Sequence, residues 1–247
     1  MAIQFARIEY VSRSTGGNAC RKSSYNERSK IVCERTGEIF NWSSKKDISH
    51  HEILLPEGVF EGFKNSSYLW NAAENAERRK DSQVAKESVI ALPDDSMITH
   101  EDRIELTRRY THHMFISKGL AEQIDIHAPH HGEKNWHAHI LVTTRGFRED
   151  GKALSPYKAR ETDPKIRKGY IKEEQSPGDI FEKIQNDYFK EKGYDLRVDP
   201  TGIVPQFHMG PVRMRAHLTE VAARADLLKQ AQEEAVRNPS NILKKLT

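Results

Sequence analysis

The chain has 247 residues, 36% of them hydrophobic and 30% charged, with two cysteines and a formal net charge of +3. This length can bury the core of one large domain without disulfides, and the low hydrophobic fraction predicts a highly charged surface. No apolar run approaches the roughly 20 residues that a membrane-spanning helix needs, and the start does not resemble a signal peptide, so we expect a cytoplasmic protein with reduced thiols.

Positive charge is concentrated in two stretches of the chain. Residues Arg7 to Lys46 contain nine lysines and arginines against four acidic residues, and Arg145 to Lys172 again contain nine against four. Such clustering is typical of a surface that follows nucleic-acid phosphates. It is equally typical of ordinary solvated faces, so charge alone leaves both interpretations open.

The first third of the chain predicts strands and helices in alternation. Ile3 to Val11 alternates in strand fashion, and a polar loop follows at Ser12 to Asn18. Ala19 to Cys33 has few strand formers and predicts a helix just after this loop. Ser67 to Lys80 predicts a second helix, and Val84 to Leu92 predicts a second strand.

The middle of the chain predicts a helix and a hairpin. Thr99 opens a Thr-x-x-Asp signal for the start of a helix, and Gly119 marks its end. Leu120 to His127 and His137 to Thr144 both predict strands, and the turn-rich stretch between them indicates an antiparallel pair. Another helix is expected from about Asp179 to Lys192.

Together these elements indicate an α+β fold with a central antiparallel sheet packed with helices. Thr219 to Thr247 is rich in Ala, Glu, Lys and Arg and carries an apolar stripe, which predicts a helix or a helical linker. We therefore expect a principal domain over residues 1–215. A helical extension or linker over 216–247 would lead towards a further domain.

The strongest chemical signal is a group of histidines on the predicted hairpin. Alternate residues of a strand share a face, so His137 and His139 point together, as do Asp125 and His127. If the two strands pair, the imidazoles of His127, His137 and His139 converge on one side of the sheet. Three ligands with open positions are typical of a divalent metal site, and Mg, Mn, Zn and Ni all stay open.

Other polar residues of this region have a less specific interpretation. Asp125 is expected to orient an imidazole by a hydrogen bond, with a solvated carboxylate as the alternative. The histidine pairs at 50–51, 112–113 and 130–131 are adjacent in sequence. Adjacent residues of a strand face opposite ways, so we interpret these pairs as surface residues.

A series of motifs extends over roughly residues 1 to 215, and their order and spacing are more specific than any one of them. The motifs are Ser23-Ser24-Tyr25, Leu69-Trp70-Asn71 with Glu74, Glu77 and Arg78, Ala91-Leu92-Pro93, Ile126-His127, the run from Asn135 to Ile140, Thr144-Arg145, Arg197-Val198-Asp199 and His208-Met209-Gly210. On these motifs the chain resembles the conjugative relaxases of the MobA/MobL type, with a TraA-like relaxase domain, within the His-hydrophobe-His endonuclease superfamily.

The resemblance implies a palm-like relaxase fold that nicks one DNA strand at a transfer origin. It implies a metal on the three histidines, Tyr25 as the nucleophile of a covalent 5′-phosphotyrosine intermediate, and carboxylates near the site at Glu87 and Asp95. The implied partners are single-stranded DNA, with a hairpin as one form, and accessory transfer proteins. Many relatives read Ala-Ala-Tyr-Arg-Ser-Gly-Glu around the tyrosine, whereas this chain has Ser24-Tyr25-Asn26-Glu27-Arg28.

The chemistry of the residues also indicates which side chains could act as the nucleophile and its base. A phenol with an unperturbed pKa of about 10 is a poor nucleophile at neutral pH, so Tyr25 needs assistance, and Glu87 is the candidate base. Tyr10 is the rival nucleophile, but strand periodicity predicts that it packs against the core.

Contacts to DNA are expected from cations and from aromatic residues. Trp42, Trp70 and Trp136 could each stack on a base of single-stranded DNA. Trp70 lies on an apolar helix face and is expected in the core, and Trp136, beside the histidine motif, is the preferred platform. Candidates for phosphate contacts, which position a strand without reading its sequence, are Arg21, Lys22, Arg28 and Arg145.

The sequence is also compatible with three alternative functions. A rolling-circle replication initiator of the same superfamily would share the metal and tyrosine chemistry. A non-catalytic DNA-binding module or a metal-dependent hydrolase of small substrates would not combine a metal with a tyrosine nucleophile. Covalent attachment of the protein to a cut 5′ end distinguishes these two classes.

Overall fold

The computed structural model describes residues 4–129, 134–160 and 176–199, together with residue 219. The strands are β1 (Ala6–Ser12), β2 (Lys30–Val32), β3 (Ile39–Asn41), β4 (Ile48–Leu54), β5 (Gln83–Ala91), β6 (Glu122–His127), β7 (His137–Thr143), β8 (Arg145–Phe147) and β9 (Leu154–Lys158). The helices are α1 (Ala19–Glu27), α2 (Ser66–Asn75), α3 (His100–Met114) and α4 (Pro177–Lys192). None of these four helices is long and apolar enough to cross a bilayer.

The chain divides into two units, residues 1–201 and 202–247. All the elements above belong to the first unit. The predicted helix over 219–247 and the motif at His208 lie outside the described residues, apart from residue 219 itself. The predicted domain boundary at residue 215 lies there too and stays a prediction.

Five antiparallel strands form the central sheet, in the order β1-β5-β7-β6-β4. The predicted hairpin is β6 with β7, and its register places His127 opposite His137 and Asp125 opposite His139. The short strands form two separate hairpins, β2 with β3 and β8 with β9. The predicted α+β class with a central antiparallel sheet is confirmed.

Helices cover both faces of this sheet. On one face α1 and α2 pack over a core that includes Cys20, Leu69, Trp70, Ala85 and Leu141. On the other face α3 and α4 pack over a core that includes Tyr110, Phe181, Ile124, Ile140 and Val142. The histidine cluster shares the first face with α1, because residues of β7 alternate between the two cores.

Local sequence signals account for where the helices begin and end. The predicted start of α3 is confirmed by a capping box in which Thr99 and Asp102 satisfy each other's backbone N–H groups. The Asn18 side chain caps α1 by accepting from the Arg21 N–H. Gly119 and Gly193 adopt the left-handed conformation that ends the helical segments before them.

Several elements differ from the sequence-based expectation. The helix predicted over Ser67–Lys80 ends at Asn75, and the β8–β9 hairpin was not predicted. Two further differences lie beside the histidine cluster. The helix predicted over Ala19–Cys33 ends at Glu27, because Arg28 turns left-handed (φ 58°) and its N–H bonds to the Ser24 carbonyl. The chain then forms β2 and β3. Strand β4 was not predicted, because its adjacent pair of histidines and acidic residue obscure the alternation of apolar side chains.

Candidate active site

The three histidines predicted to bind a metal lie together at one end of the β6–β7 hairpin. The ring centroids of His127 and His139 are 4.8 Å apart, and His137 lies 5.2 Å from each of them. One nitrogen from each ring lies within 4.8 Å of the other two. The imidazoles therefore converge as the strand periodicity predicts.

Hydrogen bonds orient two of the three rings. His139 Nδ1 lies 2.9 Å from Glu87 Oε1, and His137 Nδ1 lies 2.8 Å from the carbonyl oxygen of Asn135. A carbonyl and an ionised carboxylate can only accept, so each Nδ1 carries the proton and each Nε2 keeps its lone pair. A neutral imidazole held in this way is the form that binds metals.

His127 is buried and joined to α1. Its Nε2 donates to the Asn26 carbonyl at 2.6 Å, and its Nδ1 lies 3.3 Å from the Arg28 guanidinium. Burial lowers the pKa of His127 to about 4 and outweighs the bond to Asn26, while the charges of His139 and Arg28 lower it further. The ring is therefore neutral at pH 7, as metal binding requires.

These residues fit a divalent metal by the chemistry of their donors. Metal–nitrogen bonds of about 2.0–2.1 Å allow at most about 4.2 Å between two ligands of one ion. The largest separation here is 4.8 Å, so small side-chain rotations would suffice. An all-imidazole set suits zinc or nickel better than magnesium, which prefers oxygen ligands.

Tyr25 lies on α1 beside this cluster. Its ring is perpendicular to that of His139, with centroids 6.3 Å apart. The Arg28 guanidinium lies 4.4 Å from the tyrosine ring centroid, and the ammonium groups of Lys45 and Lys22 lie 5.3 and 5.9 Å from it. Three cations thus lie around the ring of a half-buried tyrosine.

Tyr25 also faces a surface groove formed by β1, α1 and the loop between them. Tyr10 was predicted to pack against the core, but it is half-buried and lines this groove. Gly17 fixes the loop, since a Cβ there would lie 2.6 Å from the Ser12 carbonyl oxygen. Other residues that line the groove are Glu9, Thr15, Asn18, Arg21, Lys22, Trp42 and Glu87.

Glu87 contacts the cluster, but its environment does not suit the predicted role of a general base. Its carboxylate bonds to His139, pairs with Lys22 at 2.6 Å and accepts from Asn26 at 3.3 Å. Burial alone would raise the pKa of Glu87, but the His139 hydrogen bond and the Lys22 charge lower it to about 2. A carboxylate that weakly basic is better suited to hold His139 in place.

The two carboxylates predicted to support the metal ligands have other partners. Asp125 is buried and bonds to His51 and Gln123, each at 2.7 Å, and in the described part of the chain it has no hydrogen bond to the three clustered histidines. Asp95 accepts from the Met97 N–H in the turn before α3. Asp125 therefore orients the imidazole of His51 and not one of the clustered histidines, because a shared strand face does not fix which partner a carboxylate reaches. The role expected of Asp95 stays a prediction.

His51 was interpreted as a surface residue, yet it connects α1 to the sheet. It bonds through Nδ1 to Asp125, and its Nε2 lies 3.6 Å from Glu27 at the end of α1. Its side chain is 36% exposed and lies at the outer end of a series of hydrogen bonds. From Asp125 the series continues through Gln123 to Ser23 in the interior of the protein. His51 therefore joins β4, β6 and the helix that carries Tyr25.

Three of the four predicted phosphate contacts form ion pairs within the protein, Lys22 among them through its 2.6 Å contact with Glu87. Arg28 is buried and forms a bidentate pair with Asp47 at 2.6 and 2.7 Å. Arg145 pairs with Glu77 at 2.8 Å and bonds to the carbonyls of residues 155 and 156. Arg21 and Lys22 line the groove, as a phosphate contact requires.

The preferred tryptophan is also engaged within the protein. Trp136 is half-buried, and the Arg103 guanidinium lies 4.4 Å from its ring centroid. Trp70 is fully buried, as predicted, and donates to Gln123. Trp42, which the sequence-based choice passed over, is the tryptophan that lines the groove beside Tyr25.

Several contributors to the site could not be identified from the sequence alone. Asn26, Asp47, His51 and Lys45 are polar residues in or near loops and an edge strand, and their partners lie elsewhere in the chain. Of these four, only Asn26 falls in the stretch where the chain departs from the relatives' pattern around Tyr25, and its carbonyl contacts His127.

The chain is similar in sequence to several mobilization and conjugal transfer proteins. One relative is the mobilization protein MobL of Acidithiobacillus ferridurans, 28% identical over 96% of this chain and 70% of its own length. The conjugal transfer protein TraA of Agrobacterium fabrum is 24% identical over 99% of this chain. The probable mobilization protein MobA of Bifidobacterium longum is 33% identical over 59% of it. The chain spans only about a quarter of the TraA and MobA relatives.

The chain is also similar to a solved structure and matches the model of one protein family. The structure, described as the molecular basis of vancomycin resistance transfer in Staphylococcus aureus, is 30% identical with a TM-score of 0.67. It covers 81% of this chain, and the match includes 98% of that structure. The model of the MobA/MobL family matches residues 18–216, which include Tyr25, Glu87 and the three clustered histidines. The chain therefore belongs to the MobA/MobL family.

Proposed function

We propose that this chain is a conjugative relaxase domain that nicks one DNA strand at a transfer origin and holds the cut 5′ end on Tyr25. The observation that carries the proposal is the position of Tyr25, whose ring centroid lies 6.3 Å from that of His139 in the three-imidazole cluster. The names of the relatives support a role in DNA transfer. We also propose single-stranded DNA and accessory transfer proteins as partners, and a cytoplasmic location.

The metal would be held by His127, His137 and His139. A divalent ion there supplies positive charge that offsets the charge developing on the phosphate in the transition state. The polypeptide's own part is to orient the rings through the bonds to Glu87, Asn135 and Asn26, while burial lowers the pKa of His127 and His137.

Tyr25 performs the transesterification. Its phenol oxygen bonds to phosphorus as the bond from phosphorus to the 3′ oxygen breaks; the phenol gives up a proton, and the leaving 3′ oxygen gains one. The cationic groups of Arg28, Lys45 and Lys22 lie 4.4, 5.3 and 5.9 Å from the centroid of the Tyr25 ring. The 5′-phosphotyrosine conserves the bond energy, so the 3′-hydroxyl can later attack it and rejoin the strand.

A covalent-capture assay tests this proposal. The protein is incubated with single-stranded oligonucleotides of randomised central sequence that carry a fluorophore at the 3′ end, with Mn²⁺, Zn²⁺ or Ni²⁺ or with EDTA. We expect a fluorescent band that survives SDS only with metal, absent in Tyr25→Phe and present in Tyr157→Phe, which alters a tyrosine that is 80% exposed. Free cut DNA without adduct would favour a hydrolase, and uncut bound DNA would favour a binding module.

A further inference from the structure

Trp42 is an exposed aromatic residue beside the proposed nucleophile. Its side chain is 36% exposed, whereas the other two tryptophans are either buried in the core or covered by an arginine. Its ring meets that of Tyr25 edge to face, with centroids 5.1 Å apart and an angle of 86°. An aromatic surface left open to solvent in a groove is a feature that a ligand can cover.

The backbone holds this ring in a fixed place. The Trp42 N–H donates to the Ser29 carbonyl at 3.0 Å, and the Trp42 carbonyl accepts from the Lys45 N–H at 3.0 Å. Asn41 caps the same turn by accepting from the Ser43 N–H. A preorganised platform loses little entropy when it binds.

Positive charge accompanies the platform. Lys45 Nζ lies 5.5 Å from the Trp42 ring and 5.3 Å from the Tyr25 ring, and among the described residues no carboxylate forms an ion pair with it. Arg21 and Lys22 line the same groove. An aromatic face with cations around it is the combination that binds single-stranded nucleic acid, by stacking on a base and contacting its phosphates.

We propose that Trp42 stacks on a nucleobase next to the phosphate that Tyr25 attacks, while Lys45 contacts a phosphate of the same strand. The occupant is single-stranded DNA, because only an unpaired and unstacked base exposes a face to the indole. The inference rests on the proposed function for the location of the attacked phosphate. It makes Trp42 a substrate-positioning residue, with the base-stacking role that the sequence analysis predicted for Trp136.

Two oligonucleotides of equal charge separate stacking from phosphate binding. Binding is measured in EDTA, without cleavage, to a 20-residue oligothymidylate and to an abasic strand of the same length. Trp42→Ala should weaken binding to the thymidylate on the order of 10-fold and leave binding to the abasic strand unchanged. Trp42→Phe should retain most of the affinity, and Lys45→Ala should weaken both complexes.

Tyr157→Ala removes another exposed ring, remote in sequence from the groove residues, and should change neither affinity. Thermal unfolding of Trp42→Ala should match the wild type, so that a folding defect is not mistaken for lost stacking. Equal loss with both strands, or no loss with either, would overturn the stacking role. Neither result bears on cleavage, so failure here is distinguishable from failure of the covalent-capture assay.

Discussion

The two faces of the central sheet are built from the same strands but differ in chemistry. On the α1 side, β6 and β7 present Asp125, His127, His137 and His139, and each makes a polar contact. On the α3 side the same strands present the apolar and fully buried residues Ile124, Ile126, Ala138, Ile140 and Val142, together with one buried acid, Glu122.

This difference shows how the fold separates chemistry from stability. Alternate residues of a strand face opposite ways, so one hairpin supplies the ligands on one face and most of a core on the other. The cost appears on the α1 side, where buried polar groups need partners. Glu87, His51 and Arg28 provide or complete these contacts.

Alanine substitutions of one residue on each face should give the largest contrast between loss of activity and loss of stability. His137→Ala should reduce adduct formation on the order of 100-fold or more, with little change in the urea midpoint, because a partly exposed ligand is lost. Ile140→Ala should lower the free energy of unfolding by about 2–5 kcal/mol through a core cavity. At temperatures where it stays folded, the Ile140 variant should still nick. Similar losses of stability in both variants would contradict the separation.

Glu87→Gln tests whether the buried carboxylate acts through His139. Loss of the charged acceptor should weaken metal binding by about 10- to 100-fold, measured by calorimetric titration with Zn²⁺. Glu9→Gln is the matched control, because Glu9 lies opposite Glu87 on β1 but is exposed. A Glu87 variant with normal metal affinity and no nicking would restore Glu87 as the general base.

Variants of His51 test the connection between helix α1 and the central sheet. His51→Ala should slow adduct formation severalfold with unchanged affinity for DNA, since it frees α1 from the sheet without touching the groove. His51→Gln can still donate to Asp125 and should recover part of the rate. Equal loss of rate and DNA affinity in both variants would point to general unfolding.

The smallest expected effect is a pH dependence of stability in the metal-free protein. The folded pKa of His127 is about 4, below the unfolded value near 6.5, so the unfolded chain takes up the proton first. Stability therefore falls as pH falls from 6.5 towards 4, by about 1 kcal/mol between pH 7 and 5.5. Urea unfolding of His127→Gln should show this part of the slope missing. An unchanged slope would contradict it.

Much of the fold follows from local patterns. The β6–β7 hairpin was predicted because both strands alternate, and α3 because Thr99 and Asp102 form a capping box within one turn. Strand β4 and the end of α1 were not predicted. They depend on partners remote in sequence, since β4 pairs with β6 and Arg28 is anchored by Asp47.

The same limit divides the candidate site. The histidine cluster could be predicted because strand geometry relates its members directly. The partners of Asp125 and Arg145 could not, because the ion pairs join residues 74 and 68 positions apart. Composition does not show which of several nearby cations is neutralised within the protein. Trp42 and Trp136 likewise differ only in what covers them.

The most direct test is to identify the residue that carries DNA in the covalent adduct. Trypsin separates the two candidate tyrosines, because Tyr25 falls in Ser23–Arg28 and Tyr10 in Ile8–Arg13. After nuclease trimming, mass spectrometry should find the Ser23–Arg28 peptide heavier by a nucleotide and the Ile8–Arg13 peptide unmodified. A nucleotide on Ile8–Arg13, or on neither peptide in an SDS-resistant adduct, would contradict the assignment of Tyr25 as the nucleophile.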